Sequence, residues 1–164
     1  MIEEEGNRVA LAGQEIDEVK VTHIGGGGYG PASYSIYYGV RRHVEGVEKL
    51  FRVRMKIQIK GSIRREVIDF KWVGGELADD LNKDDELNKH LLQQLKTDVR
   101  RYAIEISPDK KAGIVWIITT KYMPPFPRSV TPFSIPDDLM PSESTFQSYN
   151  AIARLIRNRV SPQK

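Results

Sequence analysis

The stretch of this sequence with the clearest chemical pattern is LFRVRMKIQIKGS, residues 50–62. Alternate residues of a β-strand point to opposite faces of a sheet, so this pattern places polar side chains on one face and apolar side chains on the other. Cationic side chains bind phosphate oxygens, and at ~6.7 Å per two residues the polar face is ~27 Å long. It is therefore a candidate surface for anions, including the phosphates of single-stranded nucleic acid. The polar residues are Arg52, Arg54, Lys56, Gln58 and Lys60.

Two neighbouring predicted strands extend this basic face. Tyr37 supplies a ring on which a base can stack, and Asp69 is expected to lie opposite Arg54 as the one carboxylate among the cations. The candidates for anion or nucleic-acid binding are Tyr37, Arg41, Arg52, Arg54, Lys56, Lys60, Arg65 and Lys71.

The same alternation is also typical of an ordinary solvated sheet face, where lysine and arginine discourage pairing between edges. Residues 40–72 carry 10 basic and 4 acidic side chains, whereas residues 1–24 and 76–90 each carry 2 basic and 6 acidic ones. The acidic segments are therefore able to neutralise the cations inside the fold or across a homodimer interface. Three interpretations stay open: a solvated or neutralised face, an anion or nucleic-acid surface, and a docking site for an acidic protein.

The glycine-rich loop HIGGGGYGPASYS contains a GxGxxG pattern, in which glycines allow backbone amides to approach a phosphate. A dinucleotide-binding fold requires a helix directly after such a loop, but Pro31 and SYSIYY favour a strand. No HRD or DFG motif follows, so the loop does not belong to a kinase. The pattern leaves open a flexible or close-packed loop and a ligand lid, for which the candidates are Gly25, Gly27, Tyr29 and Gly30.

Metal-binding and catalytic patterns are lacking in the sequence. His23, His43 and His90 lie on separate predicted elements, and there is no cysteine. The acidic residues between 79 and 86 lack the spacing and central glycine of a calcium loop. No GxSxG motif indicates a nucleophile. We therefore expect no metal, no cofactor and no catalytic residue, and enzymatic activity is not favoured.

The first half of the chain predicts strands at residues 15–24, 33–43, 50–60 and 63–72. A two-residue turn at Gly61-Ser62 would pair Met55 with Ile68, and a turn at Glu45-Gly46 would join the second and third strands. The last three strands would then form a meander with one apolar face.

The second half of the chain adds two amphipathic helices and two further strands. Leucines between residues 77 and 95 have helical spacing, with Asp84 or Asp85 able to cap a new start. Strands flank a polar turn at residues 108–111, and a proline-rich connector leads to a last helix, with Ser144 and Gln147 spaced as a capping box. The predicted fold class is α+β, a mainly antiparallel sheet of five to seven strands with two amphipathic helices packed on one face. The expected core includes Val53, Met55, Phe70, Trp72, Trp116 and Ile156.

Length and composition predict the domain organisation. We expect a flexible acidic N-terminal segment at 1–14, a single α+β domain at 15–160 and a C-terminal tail at 161–164. No stretch approaches the ~20 apolar residues of a membrane span, and the acidic start is unlike a secretory signal, so the expected location is cytoplasmic.

The function that these patterns favour is a non-catalytic binding or assembly domain that recognises a macromolecule not identified by the sequence. The first alternative is binding of single-stranded RNA or DNA through the basic face, and the second is a small-ligand protein or enzyme that uses the glycine-rich loop. A homodimer is compatible with each.

Overall fold

The computed structural model describes residues 8–10, 14–24, 33–62, 66–97, 103–122 and 142–159, without the side chains of residues 8–10, 23, 24, 121 and 122. The predicted α+β class is confirmed, and the described residues form three helices in place of the expected two. A 3₁₀ turn, Glu48–Phe51, precedes the fourth strand. The strands are β1 (Arg8–Ala10), β2 (Glu18–Ile24), β3 (Ser33–Arg41), β4 (Val53–Lys60), β5 (Glu66–Gly74), β6 (Ile104–Asp109) and β7 (Ile114–Tyr122), and the helices are α1 (Leu77–Lys83), α2 (Asp85–Thr97) and α3 (Glu143–Arg159).

The strands form one antiparallel sheet of seven, in the order β1-β2-β3-β7-β6-β4-β5. β7 lies at the centre of the sheet, between β3 and β6, and its run Ile114 to Ile118 is apolar at both parities, which is typical of a central strand. β1 lies within the N-terminal segment 1–14 and pairs with β2. The proposed division into domain and tails stays a prediction.

The predicted meander of three strands is wrong at its first turn. β3 pairs with β7 instead of β4, so that Tyr38 lies opposite Ile117, and β7 and β6 separate β3 from β4. The reason lies in residues 42–52, which do not form a tight hairpin: Val44 and Phe51 are buried there. This apolar content makes the segment part of the core, and the chain leaves β3 instead of turning back along it.

The β4–β5 hairpin forms as predicted, but its register is different. Met55 lies opposite Trp72 instead of Ile68, because Lys60 pairs with Glu66, which leaves five residues between the two strands instead of the two of the predicted turn. The ladder then shifts between Gln58 and Ile59, where Ile68 is the extra residue of a β-bulge.

The register correction also changes the expected charge pairs on this hairpin. Asp69 lies opposite Gln58, not opposite Arg54, whose cross-strand partners are Val73 on β5 and Glu105 on β6. The faces are nonetheless kept, since Val53 and Met55 are buried while Arg54 and Lys56 are exposed.

Helices α2 and α3 begin at side-chain caps that the sequence predicts in part. The carboxylate of Asp84 accepts a hydrogen bond from the Leu87 amide at 3.0 Å, which confirms the new start between α1 and α2. At α3 the predicted cap at Ser144 is wrong by two residues, since the Ser142 hydroxyl accepts the Thr145 amide at 3.2 Å. In the described part of the chain, no helix combines the length and apolar character needed to cross a membrane.

All three helices pack on one face of the sheet and share a single hydrophobic core with it. The predicted core residues Val53, Met55, Phe70, Trp72 and Ile156 belong to this core. Trp116 does not, because Val115 and Ile117 of the same strand face the helices and therefore place Trp116 on the opposite side.

Trp72 joins the edge strand β5 to the helical layer. Its backbone N–H donates to the side-chain oxygen of Asn82 at 3.0 Å, and its backbone carbonyl accepts a hydrogen bond from the side-chain nitrogen of Asn82 at 2.9 Å. Its indole N–H donates to the Asn88 side-chain oxygen at 3.0 Å, and the Asn88 amide donates to the Leu81 carbonyl at 2.7 Å. Asn82 thus occupies the hydrogen-bonding positions that a further strand would use.

We predict that Asn82→Ala lowers the free energy of unfolding by about 1–3 kcal/mol, because it leaves two backbone groups of buried Trp72 without partners. Urea unfolding measures this change. Sedimentation should show concentration-dependent association, since the edge of β5 becomes available for pairing. Asn158→Ala, an exposed position of α3, is the control and should change neither quantity. Equal stability of the two variants would contradict the prediction.

Ion pairs connect α3 to α1. The Arg159 guanidinium donates a hydrogen bond to the Asp80 carboxylate and lies 3.4 Å from the Glu76 carboxylate. The bond from Arg159 holds the pKa of Asp80 below its usual value of 3.8. A lowered carboxyl pKa stabilises the fold above the unfolded-state pKa, and this contribution is lost as the pH falls through the lowered value.

We therefore predict that Arg159→Gln destabilises the protein at pH 7 and pH 5, and that the difference from the unchanged protein shrinks below about pH 4. Urea unfolding at pH 7, 5 and 3 measures it, with Lys89→Gln on α2 as the control. A difference that is constant across this range would show that Arg159 acts through packing and not through Asp80.

Candidate functional site

We call the side of the sheet opposite the helices the outer face. Residues from six strands lie in register on it. Pairing of adjacent strands aligns one row directly across it, and strands lie ~4.8 Å apart. The face has an aromatic part on β3 and β7 and a cationic part on β4 and β5, with β6 between them. The row consists of Lys20, Tyr37, Ile118, Glu105, Arg54 and Val73.

The cationic part contains five exposed side chains, which we call the basic strip. Asp69 and Glu66 on β5 are carboxylates of the same hairpin. Among the described residues, however, no carboxylate lies within ion-pair distance of any cation of the strip. The basic strip consists of Arg52, Arg54, Lys56, Lys60 and Lys71.

Lys56 and Lys71 are direct cross-strand partners on the outer face. The backbone N–H and C=O of Trp72 point away from β4, so those of the neighbouring residue Lys71 point towards β4. Lys56 and Lys71 therefore form a hydrogen-bonded pair, in which the two Cα atoms are ~5.5 Å apart. Like charges placed directly opposite each other reduce the stability of a sheet. A phosphate between the two ammonium groups would remove this repulsion.

The other predicted cations lie elsewhere. Arg41 shares the outer face but stands three strands from β4, ~14 Å away, and its guanidinium lies 3.6 Å from the buried carboxylate of Glu18. The sequence therefore predicts its face correctly, but the structure does not bring it to the basic strip. Arg65 lies outside the described residues.

The described parts of the acidic segments do not cover the basic strip. Glu76 and Asp80 lie on the helical side and bind Arg159. Glu15 and Asp17 bind Arg157 of α3, with the Asp17 carboxylate 2.9 Å from the guanidinium. Among the described residues, the neutralisation that the charge blocks suggest reaches Arg41, through Glu18, but no cation of the basic strip.

Tyr37 and Trp116 form an aromatic pair on the outer face, with ring centroids 5.9 Å apart and planes at 86°. Both rings are partly exposed. Gly39 permits this arrangement, because a Cβ atom there would lie 2.8 Å from both the Trp116 ring and the Glu18 side chain. Sequence reasoning finds Tyr37 but misses Trp116. The available signal is that β7 is apolar at both parities, so one of its two sets of residues has to face away from the helices.

The remaining predicted sites carry no observed chemistry. Gly25, Gly27, Tyr29 and Gly30 lie outside the described residues, and a ligand role for this loop stays a prediction. Within the described ranges, no group of three or more acidic or histidine side chains is arranged to hold a metal ion. A polar cleft of about 680 Å³ lies between α3 and residues 14–17, but Arg157 and its two carboxylate partners occupy its wall.

Comparison with known proteins gives no match for this chain, whether with protein-family models, with curated proteins or with solved structures.

We predict that Lys71→Glu raises the free energy of unfolding by about 0.2–1 kcal/mol, because it converts the Lys56–Lys71 repulsion into attraction. Lys71→Gln, which removes the repulsion only, should give a smaller increase. Urea unfolding at ~50 mM and ~1 M salt measures both, and the increases should shrink at the higher concentration, where the Debye length is about 3 Å. A fall in stability for Lys71→Glu would contradict the proposed repulsion.

Proposed function

We propose that this protein is a non-catalytic binding domain for single-stranded nucleic acid, and that the ligand lies on the outer face of the sheet. The observation that carries the proposal is the basic strip beside the aromatic pair. Phosphates supply the negative charge that the strip lacks, and bases supply flat rings for Tyr37 and Trp116.

The strip supports a polyanion rather than a single small anion. Arg52 directly precedes β4, Arg54 and Lys56 follow at steps of ~6.7 Å, and Lys60 lies ~13 Å beyond Lys56. Lys71 adds a second row on β5. A single bound phosphate would satisfy at most a few of these cations. A chain of phosphates satisfies several at once and releases their counterions, which makes the affinity strongly dependent on salt.

The aromatic pair supports a single strand rather than a duplex. The platform from Tyr37 to Arg54 is three strand spacings wide, ~14 Å, whereas the major groove of duplex DNA is only ~12 Å wide. The outer face therefore fits unpaired bases better than a groove. Partly exposed rings on a sheet stack such bases, each worth about 1–3 kcal/mol, with little dependence on sequence.

The test is binding of fluorescent single-stranded oligonucleotides between ~50 and ~200 mM salt, with a duplex of the same sequence as comparison. We expect the variant Arg52→Gln, Arg54→Gln, Lys56→Gln to flatten the slope of log affinity against log salt by about 2, since each phosphate contact contributes about 0.7 for single strands. Trp116→Leu should weaken binding roughly tenfold and leave that slope unchanged, because stacking involves no charge.

The matched control is the variant Lys83→Gln, Lys89→Gln, Lys96→Gln, which makes the same change of net charge on exposed positions of α1 and α2. It should keep both affinity and slope close to those of the unchanged protein. The same loss in both triple variants would show attraction by net charge alone and no site on the outer face. Absence of binding at ~50 mM salt, a condition that favours phosphate contacts, would overturn the proposal.

A further inference from the structure

Glu105 lies in the middle of the outer face, between the aromatic part and the basic strip. Strand pairing places it directly between Ile118 on β7 and Arg54 on β4. Its side chain is exposed. Among the described residues, its carboxylate has neither a hydrogen bond nor an ion pair.

Three other carboxylates of the outer face have local donors. Glu18 lies 3.6 Å from Arg41, Asp69 accepts the Phe70 amide at 2.8 Å, and Asp109 accepts the Ala112 amide at 3.0 Å. Glu66 lies at the far end of the hairpin, opposite Lys60. Glu105 differs from all of them because it faces the centre of the platform with its acceptor atoms unused by the described residues.

We propose that Glu105 reads the hydrogen-bonding edge of a base stacked at Trp116 and selects guanine; this inference rests on the proposed function. Trp116 lies opposite Ser107, two residues along β6 from Glu105, so the carboxylate is a diagonal neighbour of the ring and lies within reach of a base stacked on it. Since the carboxylate repels phosphate, the base and not the backbone occupies this position.

The chemistry of the bases decides the selection. Guanine presents two adjacent donors, N1–H and the N2 amino group, which match the two oxygens of one carboxylate. Cytosine and adenine each present one amino group, and uracil presents a single N–H between two carbonyl oxygens that repel a carboxylate. Hypoxanthine, the base of inosine, keeps N1–H but lacks the N2 amino group, so it tests the second hydrogen bond alone.

The simpler role of Glu105 is as cross-strand partner of Arg54. That role predicts a small loss of stability for Glu105→Gln and no change in base preference. A purely repulsive role predicts that Glu105→Gln raises the affinity for every oligonucleotide by the same factor. Base reading predicts instead that the ratio between oligonucleotides changes.

The experiment uses oligouridine probes with one central guanosine, inosine, cytidine, adenosine or uridine, which avoids guanine self-association. We expect the full chain to bind the guanosine probe about tenfold more tightly than the inosine and uridine probes. Glu105→Gln should reduce these ratios to within about twofold. Glu86→Gln, an exposed carboxylate on α2, should leave them unchanged, and urea unfolding verifies that each variant is folded.

Each outcome decides a different question. Equal binding of all five probes by the unchanged protein overturns base reading by Glu105 while the proposed function stands. A uniform gain of affinity in Glu105→Gln, with the ratios kept, also overturns it. If no probe binds at ~50 mM salt, the proposed function fails and base reading fails with it.

Discussion

The helical layer buries one face of the sheet, and this one-sided burial is the constraint on which the rest of the structure depends. Leu77, Leu81 and Leu91 on the helices and Val53, Trp72 and their neighbours on the strands form a single core. Once one set of alternate residues is buried, the other set has to face away from the helices. The cations of β4 and the aromatic pair of β3 and β7 therefore share the outer face, although the strands that carry them do not adjoin.

The edge of the sheet at β5 and its outer face differ in whether their polar groups already have described partners. Asn82 bonds both backbone groups of Trp72, so the described part of the β5 edge is closed to a further strand at this point. On the outer face, by contrast, Lys56 stands opposite Lys71 without a described carboxylate in reach. A solvated face selected for stability alone would place opposite charges at such a pair. This contrast supports the proposed binding on the outer face rather than an extension of the sheet through β5.

The faces of the strands could be predicted from the sequence, but the order of the strands could not. Alternation has a period of two within one strand, so Arg52, Arg54 and Lys56 are correctly assigned to one side whatever their neighbours are. Register depends on the number of residues between the strands and on bulges: the five residues between Lys60 and Glu66 and the extra residue Ile68 change the partner of Met55 from Ile68 to Trp72. Strand order depends on contacts distant in sequence, and buried Val44 and Phe51 lead the chain away from the expected hairpin.

Prediction of the candidate site depends both on the faces of the strands and on their order in the sheet. The alternation of residues within each strand is sufficient to predict the basic face and the place of Tyr37 on it, because neither depends on which strands adjoin. Trp116 and Glu105 could be placed only by the insertion of β7 and β6 between β3 and β4, which no local pattern encodes. With the predicted meander, the face would hold one tyrosine among cations, which is typical of any solvated sheet. With the observed order, the aromatic pair, a carboxylate that no described residue binds and the cations follow one another across ~14 Å, and this order supports the proposal of a bound base and its phosphates.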